Sequence, residues 1–107
     1  MEMLTVPELA ARLEIEEVHV RSMIKDGQLL AVRQDNVPMV AARELDGAEP
    51  VKHLPAVLRL LRDAKYSDDE AFVWLTTEDA SLPGSPLEAL QENRATEVKR
   101  RAQALGF

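Results

Sequence analysis

TVPELAARLEIEEVHVRSMIKDG, residues Thr5 to Gly27, decides the fold. It reads as two short amphipathic helices separated by a turn too tight for anything but a helix-turn-helix. The first runs from Val6 to Leu13. Thr5 offers a side-chain acceptor at its start, and Pro7 and Glu8 suit a first turn that needs no extra N–H and favours negative charge. Val6, Leu9, Ala10 and Leu13 recur on one face at helical spacing. The second helix begins near Glu16 and stops at Gly27, where a glycine takes the left-handed conformation that ends helices. Its winding turns Val20, Met23 and Ile24 inward. Val18, Arg21, Ser22 and Lys25 then look outward, with His19 at the edge.

Two short packed helices fit a plain αα-hairpin as well as a surface that reads DNA. The residues that follow separate the two. Leu29 to Arg33 (LLAVR), a polar QDN, and Val37 to Val40 (VPMV) make an apolar run, a turn and a second apolar run, the pattern of a β-hairpin. A hairpin directly behind the second helix is a wing. Pro38, which has no N–H to donate, predicts that the returning strand lies at a sheet edge.

LTVPELAARL and VHVRSMIKDGQLLAVR resemble the winged helix-turn-helix of excisionase-type and MerR-type DNA-binding proteins. With its C-terminal half included, the whole chain resembles an actinobacterial family of small winged-helix DNA-binding proteins with an α-helical C-terminal domain, first recognised in mycobacteria. The likeness is strongest at AVR (Ala31 to Arg33), VKHLP (Val51 to Pro55) and VKRRAQAL (Val98 to Leu105). It implies a mainly α chain: a winged helix-turn-helix with a short β-hairpin wing over residues 1–48, then a small helical bundle over 49–107. It also implies a partner, double-stranded DNA. No long regulatory tail is expected ahead of a winged unit that starts so close to residue 1.

Charge opposes DNA binding if only the sum is counted. The 107 residues carry a net charge of −6. Residues 1–50 hold five Lys or Arg against ten Asp or Glu, and 51–107 hold eight against nine. Affinity for DNA comes largely from phosphate neutralisation, so placement has to compensate. Arg21, Lys25 and Arg33 are expected to cluster beside the groove while Glu2, Glu8, Glu14, Glu44 and Asp46 face elsewhere. Glu16 and Glu17 support the dipole of the second helix but sit close to where phosphates would lie. In chemical terms Arg21 and Lys25 can donate to guanine edges or phosphates, and Ser22 is a small donor and acceptor. His19 is an edge contact or, when protonated, a phosphate donor, and Arg33 reaches a phosphate or the minor groove from the wing. The alternative for Arg21 and Lys25 is a solvated helix face.

DGAEP, Asp46 to Pro50, breaks the chain near residue 48. Beyond it, Leu54, Val57, Leu58, Leu60 and Leu61 predict a helix with Pro55 in its first turn, preceded by Lys52 and His53 as a capping or basic pair. SDDE, Ser67 to Glu70, is a capping box. Its acids could be taken for metal ligands, but acids crowd at helix starts because of the dipole, and no His or Cys cluster accompanies them. The helix continues through Phe72 to Leu75, and Trp74, the only tryptophan, is expected to anchor the second core. After a Pro-Gly turn, Ser85 caps a helix with Pro86 in first position. A last helix, about Arg94 to Leu105, buries Val98, Ala102 and Leu105. It leaves Arg94, Lys99, Arg100 and Arg101 outside as the most basic patch in the chain.

WLTTEDASLPGSPLEAL, Trp74 to Leu90, resembles the toxin-binding domain of Xre/ParS-type antitoxins in Trp74, Leu75, Leu82, Gly84, Pro86 and Leu87, and departs from it in the winged N-terminal half and the basic last helix. Two classes of function therefore stand. One is a DNA-binding regulator of transcription. The other is an interaction module, antitoxin-like, whose C-terminal helices bind a protein or a second copy. No nucleophile with a paired base, phosphate loop or metal spacing marks an enzyme, and no cofactor or metal is expected. The absence of cysteine fits a cytoplasmic protein, and no stretch is long and apolar enough to span a membrane.

Overall fold

Thr5 ends a strand and starts a helix. Met3–Thr5 forms β1, and α1 (Val6–Leu13) follows with no intervening residue. The Thr5 hydroxyl accepts the Glu8 N–H at 3.2 Å while Glu8 accepts the Thr5 N–H at 2.9 Å, so two otherwise unpaired donors are satisfied reciprocally. The computed structural model describes residues 1–106 of the chain. Glu14, in the left-handed conformation, closes α1, and α2 (Glu17–Lys25) begins three residues later. Val6, Leu9, Ala10 and Leu13 are buried together with Val20, while Met23 and Ile24 are half-buried against the same cluster.

Gly27 ends α2 at φ +78°. The Gln28 N–H reaches back to the Met23 carbonyl at 2.9 Å and the Gly27 N–H to that of Ile24 at 3.2 Å, the paired bonds of a left-handed helix stop. A Cβ at Gly27 would meet the Arg62 guanidinium at an ordinary 3.6 Å, so the demand on this position is conformational rather than spatial. Gly27→Ala is expected to lower stability by about 1 kcal/mol, measured by urea unfolding.

The wing is β2 (Ala31–Gln34) and β3 (Val37–Ala41), joined by Asp35 and Asn36, both at positive φ as a tight hairpin turn requires. Pro38 does not put β3 at an edge. β3 is the central strand of the order β1-β3-β2, flanked on its other side by β1. β1 pairs only with Met39, Val40 and Ala41, so it stops short of Pro38. Gln34 and Val37 close the hairpin, which makes Arg33 and Pro38 a pair without hydrogen bonds and turns the proline nitrogen outward, beyond the reach of β1. Three residues of MLT carry too little alternation to announce a strand, and that is why the edge assignment fails.

One 3-10 turn, Ala42–Glu44, leads to a two-stranded hairpin, β4 (Leu45–Asp46) and β5 (Glu49–Pro50). Four helices follow: α3 (Leu54–Asp63), α4 (Asp68–Thr76), α5 (Pro86–Gln91) and α6 (Ala95–Ala104). Ser67 and Ser85 each cap a helix reciprocally with the glutamate three residues on. The chain is thus mainly helical, a winged helix-turn-helix followed by a small helical bundle. Leu54, Leu61, Leu75, Leu82 and Leu87 are the large fully buried side chains of the bundle. Trp74 is not its anchor: it is half-buried on the flank of that core, because Leu75 beside it takes the inward position.

The basic face of α6 is also spent differently. Arg94 donates to the Leu82 and Pro83 carbonyls and pairs with Glu92 at 2.6 Å. Arg101 donates to the Ser81 carbonyl at 3.0 Å. Both brace the turn between α4 and α5, and Lys99 is half-buried with its amine 2.8 Å from His53 Nδ1, leaving Arg100 as the exposed cation among the four.

Bundle and winged unit are not separate beads. Leu29 is buried in the first core, but Leu30, the next residue, is buried in the second. The Val51 N–H bonds the Glu44 carbonyl at 2.7 Å, and the Gln91 amide donates to the Arg43 carbonyl at 2.9 Å. Among the described residues no helix is long and apolar enough to cross a membrane.

Candidate nucleic-acid interface

Val18, Arg21, Ser22 and Lys25 stand one and two turns apart on α2, and all four are exposed. His19 is exposed beside them. Val18, at 58% exposure, is one of the few large apolar side chains left in solvent, which marks this face as uncommitted to either core. Arg21 lies 3.8 Å from Glu17, one turn earlier, with both side chains more than half exposed. Such a pair is worth about 0.3–0.5 kcal/mol, less than a charge-assisted bond to phosphate, so it does not withhold Arg21 from an anion. Lys25 forms no ion pair among the described residues.

Arg33 extends from β2, where its guanidinium donates to the Asn36 carbonyl at 3.0 Å and so rests against the turn of its own wing. It lines a shallow groove with Ile24 of α2, and across that groove stand Ser67, Asp68 and Asp69 at the start of α4. The wing cation therefore shares its surroundings with two carboxylates from the bundle. Arg62 was not among the sequence candidates, yet α3 carries it to the C-terminal end of α2, beside Gly27, with Arg59 lining the same recess. Nothing local in the sequence signals this, since the approach is made by packing of the two halves.

Glu2, Glu8, Glu14 and Asp46 are exposed, but Glu44 does not face outward with them: it is the one charged residue buried among the described residues, 1% exposed. Its Oε1 accepts the Leu30 N–H at 2.7 Å and its Oε2 the Ala41 N–H at 3.3 Å. The two donors flank the wing, one before β2 and one at the end of β3, so this carboxyl closes the wing at its base. Burial pushes its pKa up to about 8, against the opposing pull of the Leu30 and Ala41 N–H groups. At neutral pH the acid is then mostly protonated, and the −5 counted for residues 1–50 moves toward −4.

Residues 1–45 match the family model described as the winged helix-turn-helix domain of DNA-binding protein Rv2175c, and residues 51–106 match the Rv2175c C-terminal domain of unknown function. The chain belongs to the Rv2175c family. Over 117 aligned positions it is 34% identical to "DNA-binding protein Rv2175c" of Mycobacterium tuberculosis, spanning 95% of this chain and 79% of that protein. The NMR structure of Rv2175c superimposes with a TM-score of 0.90 at 30% identity, over 99% of this chain and 82% of that one. Both halves of the chain thus fall within the family's two-domain plan.

Proposed function

We propose that this Rv2175c-family chain binds double-stranded DNA and acts as a regulator of transcription rather than as an enzyme. The observation that carries the reading is the exposed face of α2, held forward of both cores on a winged helix-turn-helix. α2 enters the major groove, where Arg21, Ser22 and Lys25 meet base edges and the adjoining phosphates. His19 contacts the groove edge, and Arg33 leaves the Asn36 carbonyl to hold the backbone from the wing. Binding to double-stranded DNA supports a cytoplasmic location. A protein partner would use the C-terminal helices, which leave Val73 in solvent.

With about three or four phosphate contacts, affinity is modest and falls steeply with salt. In a labelled-duplex shift, Arg21→Ala and Lys25→Ala are each expected to weaken binding and to reduce the slope of log affinity against log salt by about one. Unchanged binding and slope in both variants would sink the groove assignment. The regulatory role is tested by a promoter reporter that responds to the wild-type chain and not to the double variant.

A further inference from the structure

α4 is apolar around more of its circumference than its own core uses. Ala71 and Leu75 face the bundle and are buried, yet Val73 is 61% exposed and Trp74 only half-buried. With Tyr66 and Pro86 they floor an open groove of about 670 Å³ running beside the start of α5. Carboxylates rim it: Asp69, Glu70, Glu78 and Asp79. No lysine or arginine lines it.

The rim stays charged. Glu70 accepts the Ser67 N–H at 2.9 Å, and Asp79 accepts the Ser81 N–H at 2.9 Å and its hydroxyl at 2.7 Å, bonds that hold both acids below their usual pKa. Asp69 and Glu78 form no ion pair among the described residues.

Charge complementarity selects the occupant. DNA and anionic lipid are repelled by such a rim, and a second copy of a chain with net charge −6 is a poor partner, the more so because Arg94 and Arg101 are tied to the turn between α4 and α5. A basic segment with an apolar side chain satisfies both features, its guanidinium stacking on Trp74 or Tyr66 and its apolar group covering Val73. We propose that this groove is a docking site for a cationic, apolar-anchored peptide segment of a partner protein. The inference supplies the chemistry of the partner-binding face proposed above and is independent of DNA binding: a chain that shifts no duplex but binds the peptide loses the groove-reading helix and keeps this site.

The test titrates the full chain, followed by Trp74 emission, with a short amphipathic peptide of arginine and leucine and with the same pattern carrying glutamate for arginine. Expected are a saturable, salt-weakened response to the arginine peptide and none to the glutamate peptide. Val73→Ser, which touches neither core, is expected to weaken binding about tenfold or more with unchanged thermal unfolding, and the joint variant Asp69→Asn with Glu78→Gln to weaken it as much, with only the small loss of stability that neutralising a first-turn acid of α4 brings. No saturable response, an equal response to both peptides, or indifference to the substitutions overturns the proposal. So does self-association of the chain alone that Val73→Ser abolishes, since the groove would then be covered by a second copy.

Discussion

Glu44→Gln is expected to flatten a pH dependence of stability that runs opposite to that of most proteins. The carboxyl has a folded-state pKa of about 8 against an ordinary value of 4.5, so the folded chain holds a proton that the unfolded chain releases across that interval. The contribution is complete below pH 4.5 and is lost as pH rises through about 8, at up to about 1.4 kcal/mol per pH unit. Glu8, Glu70 and Asp79 have lowered pKa values, so their contributions vanish only on acidification below the ordinary carboxylate range and leave this window untouched. His53 acts within it. Desolvation, then the charges of Lys99 and Lys52, lower its pKa from 6.5, which costs stability as pH falls below that value. Above 6.5 the opposing contribution of His53 fades, so the fall in stability toward pH 8 belongs to Glu44. Urea unfolding of the wild type should show stability falling across this range, and the glutamine variant should not. Glu44→Ala leaves the Leu30 and Ala41 N–H groups buried without partners, at a cost of about 1–3 kcal/mol each. A wild-type profile as flat as that of the glutamine variant would mean that the two N–H bonds outweigh burial and keep the carboxylate ionised.

Leu30→Ala is expected to destabilise the whole chain by about 2–5 kcal/mol, the range for a leucine truncated in a packed interior. Leu30 leaves the winged unit and enters the bundle core, lining with Leu58 and Ala71 the seam between the halves. Because its loss loosens the bundle from the wing at once, Trp74 emission and far-ultraviolet circular dichroism should still report one coincident transition, shifted to lower urea. A loss below about 1 kcal/mol would show that the seam relaxes around the vacancy and contributes little. Two separated transitions in the wild type would show instead that the halves unfold independently.

The two predictions concern positions that sequence patterns treat differently. Leu30 reads as one apolar residue in a short run, and Glu44 as one more surface acid. Their roles come from partners that only packing supplies. By contrast, Thr5, Ser67 and Ser85 announce their helices unaided, because a cap is satisfied within three residues of itself. The outward set Val18, Arg21, Ser22 and Lys25 follows in the same way from helical winding, and all four are exposed. Trp74 and the α6 arginines depart from their expected places for a common reason. Helical spacing says which residues share a face, but it does not say whether a neighbour such as Leu75, or a turn such as Ser81 to Gly84, will claim that face.

Short-range physics therefore determined the helices, the turn between α1 and α2, the hairpin wing and the direction of the exposed α2 face, since caps, turn residues and periodicity act within a few residues along the chain. The tertiary structure alone decided that β1 makes β3 a central strand, that consecutive leucines enter different cores, that Glu44 seals the base of the wing, and that acids of α4 stand opposite Arg33. Each of these depends on contacts between residues distant in sequence, where the free energy of burial is shared among partners and leaves no periodic trace in any one stretch.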